Sequence, residues 1–136
     1  MAEIDIFNPD TINPPRGAYS HVAEVAAGAK LVAIAGQVAI DRDGEIVGKD
    51  DFDRQCQQVY ENIGAALKAA GGDWENVLQF MSFLVRREDI PKFAAFRQRE
   101  YAKLYPTGKY PPNTLLLVSG LVTEALLLEV QAIAAI

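Results

Sequence analysis

Apolar residues in this chain fall into short runs separated by turn formers, and their period changes along its length. A short opening strand precedes Asn8 to Gly17, where Pro9, Asn13, Pro14, Pro15 and Gly17 impose an extended loop. Apolar residues return from Tyr19 to Val25, stop at Gly28, and resume as the long run Leu31 to Ile40. Asp41-Arg-Asp-Gly44 marks a turn between that run and Glu45-Ile-Val47. Phe52, Cys56, Val59, Ile63, Leu67 and Ala70 then recur at spacings of three and four, the stripe of an amphipathic helix. Asp50 or Asp51 is its expected N-cap, and Gly71-Gly72 ends it.

The second half repeats the alternation with different residues. Val77 to Val85 reads as a strand, and Arg86 to Asp89 as a charged loop. Ile90, Phe93, Ala94, Arg97, Tyr101 and Leu104 mark a second helix, closed by Pro106 and Gly108. Pro111-Pro112 restarts the chain as a strand from Thr114 to Ser119, and Leu126 to Ile136 forms the closing strand. The expected order is βββαβαββ, a single α+β domain over residues 1–136 with two helices on one face of a six-stranded sheet. Leu31–Ile40 and Leu115–Val118 are apolar on both faces, as in strands buried on both sides. Two helices cover only one face. Either the sheet closes on itself or it packs against copies of the chain, and a symmetric oligomer is the favoured solution.

Composition narrows the chemistry. Half of the 136 residues are hydrophobic, which suits a folded core, and 13 basic against 18 acidic residues give a net charge of −5. That balance argues against nucleic acid as a partner. One cysteine, Cys56, and one histidine, His21, exclude an internal disulfide, a cysteine zinc site and a His-rich metal site. No phosphate-binding loop or dinucleotide fingerprint is present, so no cofactor is expected. The acidic start, with Glu3, Asp5 and Asp10, does not resemble a signal peptide. The longest uncharged stretch, Tyr110 to Thr123, is too short to span a bilayer, which needs about 20 apolar residues. A cytoplasmic protein without a membrane partner is the expectation.

Four places could carry chemistry. On the closing strand, Leu126, Leu128, Val130, Ala132, Ala134 and Ile136 make a core face, while Glu129 and Gln131 lie opposite among Leu127, Ile133 and Ala135. A carboxylate there sits either at a wet edge or half-buried, where it could serve as a general acid or base. Tyr19 and His21 project together where the proline-rich loop opens a strand. Gly36 interrupts an apolar strand, which implies a bulge or a close approach to the backbone. Arg86, Arg87, Arg97, Arg99 and Lys103 cluster around the second helix, interleaved with Glu88, Asp89 and Glu100 as on a solvated face. Cys56 falls on the core stripe and reads as an inert thiol.

Taken in order, several short segments resemble the Rid family, the YjgF-like reactive-intermediate deaminases. Gly17-Ala-Tyr-Ser20 is similar to the family's Gly-Pro-Tyr-Ser opening, and Ala35-Gly-Gln37 to its Ser-Gly-Gln. Gln55 through Asn62-Ile63 and Leu67 to Gly71 resemble its first helix. Pro111-Pro-Asn-Thr114 and Leu128-Glu-Val-Gln-Ala-Ile-Ala134 resemble its C-terminal signatures. The resemblance implies a chorismate-mutase-like subunit, a homotrimer, and small-molecule clefts between subunits where enamines or imines are hydrolysed to a keto acid and ammonia. It assigns Glu129 and Tyr19 to catalysis, and Gly36, Ala35 and position 113 to substrate binding.

Here the chain departs from the family pattern. Asn113 stands where an arginine grips the substrate carboxylate, Leu115 replaces a cysteine, and Ala35 replaces a serine. An arginine–carboxylate hydrogen bond contributes about 1.5–3 kcal/mol, which an asparagine cannot match. Three outcomes follow: binding without turnover, an uncharged or differently anchored substrate, or replacement of the lost charge by Arg16 or Arg97. The first leaves a non-catalytic small-molecule-binding or chaperone-like protein as the alternative function.

Overall fold

The computed structural model describes residues 2–136 and keeps the expected alternation of strands and helices. In chain order the elements are β1 (Ile4–Phe7), β2 (Val22–Val25), β3 (Leu31–Gln37), α1 (Phe52–Ala69), β4 (Val77–Leu84), α2 (Ile90–Leu104), β5 (Asn113–Leu117) and β6 (Leu128–Ala135). The six strands divide between two hydrogen-bonded sheets rather than forming one. β1 and β2 pair with each other, and the other four form a sheet of order β3-β6-β4-β5. Only β4 and β5 run parallel.

Local chemistry explains the shortened strands. The loop between β1 and β2 is latched by side chains, with the His21 N–H donating to Asn8 Oδ1 at 2.8 Å and the His21 ring bonding to the Asn13 carbonyl at 2.7 Å. His21 is thereby occupied as a loop staple, and Tyr19–His21 lies in the loop ahead of β2. After the turn at Asp41–Gly44 the chain makes one bridge, between Ile40 and Ile46. There the Asp41 carboxylate accepts from the backbone N–H groups of Asp43 and Glu45, both at 3.0 Å, which tightens the turn.

Helix α1 is capped by Asp51, whose carboxylate accepts from the Arg54 N–H at 3.0 Å. At its other end Gly71 adopts φ +89°, and the Gly72 N–H reaches the Leu67 carbonyl at 2.9 Å. Gln55, fully buried, ties the helix to the chain entering β6. Its amide donates to the carbonyls of Gly48 (3.2 Å) and Ala125 (2.8 Å) and accepts from the Leu127 N–H at 2.8 Å. Asn62 donates to the carbonyls of Val38 and Ile40, fixing the segment after β3.

The core lies between the helices and one face of the four-stranded sheet, where Leu128, Val130, Ala132 and Ala134 are buried as their alternation requires. Cys56 is buried there too, and burial pushes its thiol far up, so it carries no reactive thiolate. The opposite sheet face is uncovered. Leu31 is 66% exposed, and Ile133 and Leu116 are exposed on the same face. This is the apolar surface for which the two helices do not suffice.

Candidate functional site

The strand registers decide which candidate residues can meet. In the β4–β6 ladder Glu129 lies opposite Phe83, and in the β4–β5 ladder Phe83 lies opposite Leu116. Glu129 therefore belongs to the uncovered face. Beyond Ile34 the β3–β6 register slips and resumes at Gln37, a bulge that places Gly36 beside Glu129. The two are in close contact. A β carbon at position 36 would overlap Oε1 of Glu129 and stand 2.8 Å from its Cδ and 2.9 Å from its Cγ. The interruption of an apolar strand by glycine thus makes room for one carboxylate. Glu129 is half-buried and takes part in none of the ion pairs among the described residues. Ala35, next to Gly36, is exposed, and its carbonyl accepts from the Gln37 amide at 3.1 Å.

Asn113 occupies the other side of the same sheet. It pairs with Phe80, and its Oδ1 accepts from the hydroxyl of Ser82 at 2.7 Å. Phe80 and Ser82 are fully buried on the helix-covered face, whereas Phe83, the partner of Glu129, points the opposite way. Within one chain Asn113 and Glu129 are on opposite faces. Ser82 was not foreseen as a site residue, although a hydroxyl among Val77, Phe80 and Leu84 is the polar exception on that face.

Tyr19 connects two hollows. One, of about 590 Å³, is bordered by Tyr19, His21, Leu31, Gln79, Asn113 and Ile133. The second, of about 420 Å³, is bordered by Arg16, Tyr19, Arg97, Gln98 and Tyr110. The Tyr19 hydroxyl accepts from the Arg16 N–H at 3.3 Å, and its ring meets His21 edge-on at 5.7 Å. Two core phenols, Tyr60 and Tyr101, are buried and share a hydrogen bond of 2.9 Å. Burial pushes the Tyr101 hydroxyl up to about 12, and it lifts Tyr60 well above the usual phenol range. The positive charge of Arg97 opposes both shifts.

Two arginines near α2 are held by carboxylates. Arg86 forms a two-pronged pair with the buried Asp89 at 2.8 and 3.1 Å, and Arg99 pairs with Asp53 at 2.9 Å. Among the described residues no cluster of three or more His, Cys, Asp or Glu side chains is placed to hold a metal ion, and no helix is long and apolar enough to cross a membrane.

A chorismate-mutase-like α+β subunit with its polar candidates along a half-covered sheet defines the class of protein. Residues 11–136 match the family described as Endoribonuclease L-PSP. A RutC family protein of Pyrococcus horikoshii is 38% identical over 121 residues, covering 88% of each chain. Another, of Pyrococcus abyssi, is 34% identical over 98% of each. Among solved structures, YyfB of Yersinia pestis, a protein of unknown function of the conserved Rid protein family, superposes with a TM-score of 0.87 at 30% identity over 98% of both chains. E. coli TdcF with bound serine shares the fold, with a TM-score of 0.69 at 24% identity over 94% of this chain and 92% of that one. The chain belongs to the Endoribonuclease L-PSP family, which includes RutC and Rid proteins.

Proposed function

We propose that this protein is a cytoplasmic Rid-type homotrimer that binds a small metabolite between subunits and hydrolyses an imine or enamine C–N bond. The observation that carries the reading is the Glu129 carboxylate, seated over Gly36 on a sheet face that is otherwise largely apolar and uncovered. Copies of the chain packed on that face would bury Leu31, Ile133 and Leu116 and enclose Glu129 at the same time. The opposite facing of Glu129 and Asn113 is consistent with a cleft built from two copies, one contributing Glu129 and Gly36, the other Asn113.

In such a cleft Glu129 accepts a proton from water as its oxygen attacks the imine carbon. The same proton passes to nitrogen and gives a carbinolamine; its hydroxyl proton is then relayed by Glu129 to the amine, the C–N bond breaks, ammonia leaves and a carbonyl compound remains. Tyr19 orients the substrate. Asn113, its amide oxygen engaged by Ser82, offers its N–H groups to a carbonyl or amide, so this chain belongs to a subgroup without the usual arginine. RNA cleavage, the activity in the family's description, finds no basic track here, because the basic side chains around α2 are largely paired with carboxylates.

The test is ammonia release from freshly generated 2-aminoacrylate and from its uncharged amide counterpart, with the mass of the assembly measured by light scattering. Glu129→Gln is expected to lower turnover by about a hundredfold or more. Unchanged turnover in Glu129→Gln, or a monomer that turns over normally, refutes the reading.

A further inference from the structure

Ser82 carries the one hydroxyl on β4, and it is fully enclosed. A buried hydroxyl is costly unless its proton finds an acceptor. The only hydrogen bond it makes among the described residues is the one of 2.7 Å to the Asn113 amide. That bond fixes which way the amide points. With Oδ1 toward Ser82 the hydroxyl donates, and both groups are satisfied. With Nδ2 there instead, the hydroxyl would have to accept, and its own proton would be buried unpaired at the full penalty of an unmade hydrogen bond. Oδ1 is therefore held and Nδ2 is turned away from Ser82. Nδ2 has no hydrogen-bond partner among the described residues and is not sealed in the interior, so a ligand can reach it. Asn113 thus presents two N–H donors and no acceptor.

A pair of donors without charge discriminates by desolvation. The carbonyl of an amide gives up little hydration and regains its hydrogen bond, whereas a carboxylate gives up far more and needs a cation in return. The hollow of about 590 Å³ that Asn113 borders supplies none. Among the described residues no Lys, Arg, Asp or Glu lines it, and its polar lining is Tyr19, Ser20, His21, Gln79, Asn113 and Thr114. In the proposed cleft the charge opposite is the Glu129 carboxylate, which disfavours a second carboxylate.

We propose that Ser82 is a specificity-determining residue. By holding Oδ1 of Asn113 it makes position 113 a fixed donor, which selects a neutral substrate anchored by a carboxamide carbonyl over the corresponding acid. Ser82 touches no substrate and acts through Asn113, as a positioning residue. The assignment rests on the reading of the protein as a small-metabolite binder and names the substrate class.

Pyruvamide and sodium pyruvate, matched in shape and different in charge, test it by calorimetric titration of the parent protein and of Ser82→Ala, Ser82→Thr and Asn113→Asp. Pyruvamide is expected to bind the parent about tenfold or more tightly than pyruvate does. In Ser82→Ala, Oδ1 lacks a donor whenever Nδ2 serves the ligand, so pyruvamide is expected to bind about tenfold more weakly. Ser82→Thr keeps the hydroxyl and is expected to bind pyruvamide within about threefold of the parent. Asn113→Asp keeps the bond to Ser82, removes the donors, and is expected to lose pyruvamide as Ser82→Ala does. The side-chain NH2 signals of Asn113, identified by nuclear magnetic resonance through their loss in Asn113→Asp, give a readout that packing alone does not move. They are expected to shift on adding pyruvamide to the parent and to Ser82→Thr, and to stay in place in Ser82→Ala at the same concentration. Pyruvate binding as tightly as pyruvamide overturns the assignment, as does pyruvamide affinity unaltered in Ser82→Ala, an Asn113 signal indifferent to pyruvamide in the parent, or a collapse of Tm in both Ser82 variants. Pyruvamide binding independent of Ser82, in a protein whose ammonia release still requires Glu129, removes this assignment and spares the deaminase reading. Ser82-dependent binding in a protein that releases no ammonia does the reverse.

Discussion

Gly36→Ala isolates the link between the β3 bulge and the Glu129 carboxylate. An ordinary contact begins near 3.4 Å, so a β carbon at position 36 is too close to Cδ of Glu129 by 0.6 Å and to Cγ by 0.5 Å, and it overlaps Oε1. The backbone at Gly36 is not in the left-handed region, which leaves alanine conformationally acceptable there. The strain therefore falls on Glu129, whose carboxylate must swing aside by about 1 Å. A displaced rotamer costs about 0.5–1.5 kcal/mol. Stiffening the unfolded chain returns about 0.4–1 kcal/mol, so net stability changes by no more than about 1 kcal/mol. For a chain of this size that is a Tm shift of about 4 °C at most. A catalytic group misplaced by about 1 Å forfeits about a hundredfold in rate. The expected result is a nearly unaltered melting curve with ammonia release reduced by about a hundredfold. A Gly36→Ala protein that turns over within about threefold of the parent, while Glu129→Gln is inactive, refutes the claim that the glycine positions the carboxylate.

Two further outcomes test the packing that supports the site. Above about pH 10 the folded protein is expected to lose stability, because Tyr101 and Tyr60 bind their protons more tightly when folded than when unfolded. Their contribution is complete below the ordinary phenol range and disappears as pH rises through about 12 for Tyr101, which denaturant midpoints across that window would register. Tyr101→Phe should flatten that slope, and an unchanged slope refutes the assignment. Gln55→Ala removes three hydrogen bonds from a buried position and is expected to destabilise by about 2–4 kcal/mol, read from urea unfolding; a loss below about 1 kcal/mol contradicts the role of Gln55 as the tie between α1 and β6.

Much of this architecture was legible from periodicity alone, because helices and strands bury their apolar faces with different periods. Phe52, Cys56, Val59, Ile63 and Leu67 announced α1, and Leu128, Val130, Ala132 and Ala134 announced the core face of β6. The excess of apolar residues on both faces of β3 and β5 likewise anticipated the exposure of Leu31 and Leu116. Glu129 and Gly36 each stood out as exceptions to a pattern, one polar among apolar residues, the other without a side chain. Their contact did not. It depends on the bulge between Ile34 and Gln37, a register shift produced by pairing with a strand almost a hundred residues away. Sheet order and register arise from long-range pairing, which local spacing does not encode. For the same reason only the tertiary structure could set Asn113 and Glu129 on opposite faces, give Ser82 to Asn113, and divide the strands between two sheets. Arg97 shows the limit most clearly. Among Arg86, Arg87, Arg99 and Lys103 it was one charge on an interleaved, apparently solvated surface. The fold stacked it on Phe93, buried it and left it without a carboxylate among the described residues, because burial and pairing are properties of the folded surroundings and not of the residue.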